Sequence, residues 1–265
     1  MARHRKQYGA IAIVFVGLVM LALPSSGQAQ QEETMGKDGA PMMLVPAGEF
    51  TMGGNEAASE KPVRRVSLDA YYMDKYEVTV EQYAKFLEAA SRKAPPEWKI
   101  INQPSHQKHP VVMMDWADAN AYCLWAEKRL PTEAEWEKAA RGADGRIYPW
   151  GNDLPTPLRA NYGKKHWDQH TALVPVGTLG DGKSPYGIYD MAGNAWEWVS
   201  DWYDRGSYKK SPSQNPKGPE HGDYKVLRGG SWHSKPASLH SSNRNYTSPE
   251  HHPSHNNGFR CAKTP

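Results

Sequence analysis

Beyond Arg141 the sequence carries no long helical period, and this constrains the fold more than any other feature. From there to Pro265 short apolar runs alternate with stretches rich in Gly, Pro, Asn and aromatic residues. The chain holds 23 Gly and 21 Pro, so much of it must turn rather than run in regular elements. It also holds 10 Trp and 14 Tyr against 4 Phe, which points to ordered loops pinned by large rings whose N–H and O–H need partners. Long ordered loops of this kind are usually functional or held by ions.

The N-terminal half is more regular. "MMLVPAGEFTMGG" (Met42–Gly54) is expected to form a strand, a Pro-Ala-Gly turn and a second strand, a hairpin by pattern. "VRRVSLDAYYMDKYEVT" (Val63–Thr79) alternates enough for one or two more strands. Three helices are signalled by their caps. Thr79 with Gln82 opens the first, and Asp115 opens "WADANAYCLWAEKRL". Thr132 with Glu135 opens "PTEAEWEKAAR", with Trp136 and Ala139 facing inward.

The first thirty residues have the layout of a secretory signal. Arg3, Arg5 and Lys6 precede the apolar run Gly9–Leu23, and Gly27 and Ala29 stand at −3 and −1 of a cut after Ala29. The alternative is an uncleaved anchor, but the run is short against the roughly 20 apolar residues of a span. Cleavage predicts a periplasmic or secreted location, with no membrane span afterwards. The expected organisation is a signal at 1–29, a flexible polar leader at 30–41 and one domain at 42–265. The signal contributes three basic residues and no acidic ones, so the rest carries 29 of each. No basic patch argues for nucleic acid. Cys123 and Cys261 are the only cysteines, and an exported chain meets an oxidising compartment that favours a bonded pair over two separate buried thiols.

Several phrases occur in one order: "LVPAGEFTMG", "YYMDKYEVTVEQYAKFL", "AYCLWAEKRLPTEAEWEKAARG", "YPWGN", "YGIYDMAGNAWEWVSDW", "VLRGGSW" and "NNGFRC". Together they resemble the formylglycine-generating enzyme, or sulfatase-modifying factor, family over roughly 42–263. The resemblance implies an α+β, variant C-type-lectin-like fold with little regular structure, a small twisted antiparallel sheet, a few helices and long ordered loops. It also implies a Cys123–Cys261 disulfide.

Formylglycine-generating members carry two reactive cysteines after "GGSW" that bind copper(I) and handle the substrate thiol. Those positions fall near Ser234 and Leu239. A thiolate is a soft copper ligand and a strong nucleophile; a hydroxyl is neither near neutral pH, and Leu has no donor atom. Copper is therefore not expected, and the loop resembles the cysteine-free branch. Calcium is expected instead, since hard Ca²⁺ takes carboxylate and carbonyl oxygens. The resemblance implies one site from Asp190, Gly193, Ala195 and Glu197, and a weaker second from Asn161, Tyr162, Asp168 and His170. Asp190 departs from the family's usual Asn and adds charge. His233, His240, His251, His252 and His255 could in principle hold a transition metal, but "SPEHHPSHNN" has no fixed ligand spacing and fits a solvated tail better. Trp196, Trp232, His233, Ser234, His240 and Arg244 are candidates for a ligand groove, with burial in the core as the equal alternative for the tryptophans.

Three functions fit these readings. The first is an exported, calcium-stabilised accessory or ligand-binding module that recognises a protein, peptide or glycan and makes no formylglycine. The second is a periplasmic oxidoreductase or tailoring enzyme of different chemistry on the same scaffold, as in pyoverdine maturation. The third is a true sulfatase activator, which would have to act without its thiols.

Overall fold

Pro41–Val45 is a continuous apolar run and Tyr71–Asp74 is largely apolar, and the two segments pair antiparallel so that Met42, Met43, Val45, Tyr71 and Met73 are buried. The protein is described by a computed structural model over residues 33–168, 171–250 and 254–265, together with Met1. Apart from Met1, the expected signal at 1–29 lies outside the described residues, as do His170, His251 and His252. Among the described residues no helix is long and apolar enough to cross a membrane.

Strands β1 (Glu33–Met35), β2 (Pro41–Val45) and β5 (Tyr71–Asp74) form a four-stranded sheet with β10 (Ala262–Lys263), in the order β1-β2-β5-β10. Strands β3 (Gly48–Met52) and β4 (Arg64–Leu68) make a two-stranded sheet of their own. The segment expected as a hairpin therefore splits: β2 and β3 flank the Pro-Ala turn but pair in different sheets. The leader is also tied down. β1 pairs with β2, and Asp38 is buried against Lys128 Nζ at 2.7 Å, while Lys128 reaches Asp74 at 2.8 Å. The Tyr122 hydroxyl donates to the other Asp38 oxygen. Composition alone marks this stretch as flexible; one buried ion triad orders it.

The helices begin where the caps place them. α1 (Val80–Ala89) and α4 (Glu133–Arg141) open with capping boxes at Thr79/Gln82 and Thr132/Glu135, and α3 (Trp116–Trp125) opens at Asp115, whose carboxylate accepts from Asp118 N at 2.7 Å. Single turns α2 (Trp98–Ile101) and α5 (Ser207–Lys210) are shorter. The third sheet holds β6 (Trp196–Trp202), β7 (Lys225–Arg228), β8 (Asn245–Thr247) and β9 (Asn257–Phe259), in the order β8-β7-β6-β9, with β9 parallel to β6. This is the α+β, variant C-type-lectin-like class: small sheets, few helices, long ordered loops. A disulfide joins Cys123 on α3 to Cys261, between β9 and β10.

Candidate functional site

The loop leading into β6 is built from left-handed backbone. Asp190, Gly193 and Asn194 all have positive φ, at 57°, 84° and 61°. Asp and Asn tolerate this region better than other side chains. Gly193 has a further reason to be Gly, since a Cβ there would meet Asn161 O at 2.4 Å. The loop gathers buried carboxylates. Glu197 accepts from Arg260 through both oxygens, each at 2.7 Å, and from the Trp136 indole at 2.8 Å. Asp190 accepts from Gly177 N at 2.7 Å. Glu77, which sequence reasoning missed, joins them: it accepts from Asn194 Nδ2 at 2.7 Å and Ala195 N at 3.0 Å. The signal that could have found it is the "DKYEVT" phrase, which by pattern is only the end of a strand.

The electrostatics of this cluster are unbalanced. Three buried carboxylates face the Arg260 guanidinium. Burial pushes Asp190 up to about 6, with Gly177 N and Arg260 holding it down only in part. Burial pushes Glu77 well above the usual carboxylate range, and the neighbouring Asp190 and Glu197 push it further. Such a cluster either keeps protons or takes a cation. Among the described residues no three His, Cys, Asp or Glu side chains converge as a metal site. Calcium here would therefore need the Gly193 and Ala195 carbonyls beside Asp190 and Glu197, a mixed donor set of the type that hard cations accept. The surplus of negative charge and the oxygen chemistry fit that ion.

Of the second expected set, the described residues include Asn161, Tyr162 and Asp168 but not His170. Asn161 is buried beside the first loop, giving its amide to Ala172 O and Asn194 Oδ1, each at 3.0 Å. The Lys164 ammonium already sits on Ala172 O at 2.6 Å. Tyr162 turns its hydroxyl to Pro155 O, and the Asp168 side chain is exposed.

The loop after β7 folds back over Gly229 and Gly230, both at positive φ. A Cβ on Gly230 would meet Leu239 Cδ2 at 2.8 Å and Ser238 O at 3.0 Å. Ser234 Oγ accepts from Ser231 N at 2.9 Å. Leu239 is fully buried with Tyr148, Ala160 and Ala192. Ser234 is thus a hydroxyl engaged with its own turn, and Leu239 a hydrocarbon sealed in a core.

The candidate groove residues do not form one surface. Trp196 and Trp232 are buried in the main core, and Trp232 donates its indole N–H to His255 O at 3.0 Å. Arg244 is buried and grips both oxygens of Glu133, at 2.7 and 2.8 Å. Aromatic and cationic residues in a polar loop suggest availability to a ligand; burial assigns these three to the framework. His233 is exposed, with Nδ1 2.6 Å from Lys164 O. His240 stands edge-on to Tyr148. His255 pairs with Glu97 at 3.1 Å and stacks on Trp167. A larger groove lies elsewhere, about 630 Å³ between Trp202, α3 and the 215–220 loop.

Comparison with known proteins gives concordant matches. The model of the sulfatase-modifying factor enzyme 1-like domain matches residues 27–265. The serine/threonine-protein kinase pkn1 of Chlamydia pneumoniae is 37% identical over 242 residues, which cover 84% of this chain but only 38% of that protein. The formylglycine-generating enzyme of Bos taurus is 34% identical over 283 residues, covering 83% of this chain and 74% of that enzyme. Among solved structures, PvdO from Pseudomonas aeruginosa superposes with a TM-score of 0.76 at 26% identity, covering 90% of this chain and 100% of that one.

Proposed function

The chain belongs to the sulfatase-modifying factor enzyme 1-like domain family, and from that premise we propose that it is an exported accessory or ligand-binding module that makes no formylglycine. The carrying observation is the state of its sulfur. The sequence has two cysteines, and both lie in the Cys123–Cys261 disulfide. With Ser234 and a buried Leu239 in the loop, copper(I) has no thiolate to bind and a substrate thiol has no partner for exchange. The N-terminal signal layout supports export. The kinase relative extends far beyond the part matched here, so its activity is not carried over.

Calcium at Asp190, Gly193, Ala195 and Glu197 is part of this proposal, supported by Asp190 and Glu77, two buried carboxylates beside the Glu197–Arg260 pair that themselves touch no cation among the described residues. Bound there, the ion would neutralise charge and fix the loop entering β6; these residues hold it and take no chemical step. The decisive assay incubates the protein and copper(I) with a sulfatase-derived peptide and monitors the cysteine by mass spectrometry. The thiol is expected to persist. Aldehyde formation by the wild-type chain defeats the proposal. Ser234→Cys with Leu239→Cys is the control for whether the scaffold can be given the activity.

The superposition on the whole of PvdO favours one alternative, an oxidoreductase or tailoring enzyme of different chemistry in the periplasm. Metal analysis of protein purified without a tag separates the two readings. Stoichiometric iron, copper or zinc favours the enzyme, and calcium alone favours the module.

A further inference from the structure

We propose that the groove of about 630 Å³ between Trp202, α3 and the 215–220 loop binds a neutral oligosaccharide, laid on the Trp202 indole and hydrogen-bonded along its polar walls. The inference rests on the binding-module reading and deepens it by giving the ligand a place and a chemical class. The groove's volume lies within the roughly 300–1,000 Å³ of pockets that take small organic ligands.

Three observations select the class. First, the groove holds one aromatic platform. Trp202 is half-buried, and its indole N–H has no hydrogen-bond partner among the described residues. Lys225 covers one face of the ring, its ammonium 3.9 Å from the Trp202 centroid and 4.0 Å from that of Trp116, so a sugar would stack on the opposite face. A flat apolar ring with a donor at its edge suits the C–H face and the hydroxyl rim of a pyranose. Second, the charges cancel. Arg129, Lys217 and Lys225 line the groove together with Asp69, Glu135 and Glu220, so the formal charges sum to zero and select neither an anion nor a cation. Third, polar groups are left over. Asn120 and Thr264 line the groove and bond to no other described side chain, which leaves an amide and a hydroxyl for ligand hydroxyls.

The far wall is rigid. Asn215 exchanges two 2.9 Å hydrogen bonds with Asp69, through the Asp69 N–H and carboxylate. Backbone bonds Ser67 N to Ser213 O and Asn215 N to Ser67 O dock the same segment on β4. At Gly218, with φ +71°, a Cβ would meet Asp201 Oδ1 at 2.9 Å, so the loop packs as closely as a glycine permits. A preformed wall spares the ligand the cost of ordering it.

The test presents the full chain to an array of neutral gluco-, manno-, galacto- and N-acetylglucosamine-based oligosaccharides, with sulfated and uronic-acid glycans alongside. Hits are then titrated by calorimetry. At least one neutral oligosaccharide is expected to bind, tenfold or more weakly to Trp202→Ala and several-fold more weakly to Asn120→Ala. Trp150→Ala, outside the groove, is expected to bind as wild type. Should Trp202→Ala fail to fold, Trp202→Phe and Asn120→Ala carry the comparison. Three results overturn the proposal: no neutral glycan bound at millimolar concentration, binding unchanged by the groove variants, or binding restricted to anionic glycans. Glycan binding alongside aldehyde production in the peptide assay would sink the inactivity claim and leave this one standing.

Discussion

Glu137 is fully buried and is met by four donors: Gly53 N at 2.7 Å, Arg141 at 2.9 Å, Arg228 at 2.7 Å and, more weakly, the Tyr208 hydroxyl at 3.4 Å. A buried carboxylate satisfied in this way is costly to remove, because its guanidinium partners stay behind in low dielectric. Glu137→Ala is expected to lose roughly 3–5 kcal/mol of unfolding free energy in urea titrations. A loss under about 1 kcal/mol would mean that water reaches Arg228 more easily than its burial indicates. Asp201 behaves oppositely. Burial, reinforced by Glu133 and only partly offset by Glu133 N and the Ser200 hydroxyl, pushes it up to about 7. The unfolded chain ionises this group near pH 4, so between about pH 4 and pH 7 the folded state holds the extra proton and stability falls as pH rises. Asp201→Asn keeps an acceptor for both donors and removes the titration. Its advantage over wild type in urea titrations should be near zero at about pH 4 and largest at about pH 8, on the order of 3–5 kcal/mol. Parallel pH profiles would refute the shift. Residues such as these are hard to read from sequence. Arg244 and Trp232 sit in a polar loop, and nothing in their neighbours along the chain says that Glu133 and His255 O wait for them across the fold.

Local signals carry the helices, because a cap is a relation between residues three apart. The Thr132 side chain accepts from Glu135 N while Glu135 accepts from Thr132 N, and Glu135 also holds Arg129 at 2.6 and 2.7 Å. Thr132→Ala is expected to cost about 1 kcal/mol, and Thr132→Ser almost nothing, by thermal or urea denaturation. Equal losses from both would move the effect from the cap to methyl packing. Strand existence is also local, but strand pairing is not. Alternation places β2 and β3 on either side of Pro46, and the shortest closure is a hairpin. The observed partners are β5 for β2 and β4 for β3, because Met42 and Met43 lie in register with Asp74 and Met73, and Phe50 with Val66. The leader defeats a compositional reading for a related reason. Its order depends on Lys128, ninety residues away from Asp38. In the loop entering β6, the family phrase marks Asp190 and Glu197, and only the fold brings Glu77 and Arg260 beside them.

At the scale of the molecule, the segment Asn257–Lys263 joins the parts. β9 runs parallel to β6 in one sheet, and β10 pairs with β5 in another. Between them Arg260 binds Glu197, Asp74 O and Tyr189 O, and Cys261 closes the disulfide to α3. The bridge spans 138 residues, and in the chain-entropy account a loop of that size stabilises by about 5 kcal/mol, an upper value. Cys123→Ala with Cys261→Ala should therefore lower the unfolding free energy by a few kcal/mol, and hydrogen exchange should rise first in 257–263. The same segment carries the counter-ion of the candidate calcium loop, so the two constraints should couple. A chelator is expected to lower the melting temperature of wild type and to leave that of Asp190→Ala unmoved, since ion binding stabilises only the state that holds the site. In the disulfide-free variant the calcium-dependent rise should be smaller at equal ion concentration, because the ion must then order a loosened Arg260 segment as it binds. An identical rise in both would make the bond and the ion independent staples, and no chelator response in any variant would remove calcium from the account of this protein.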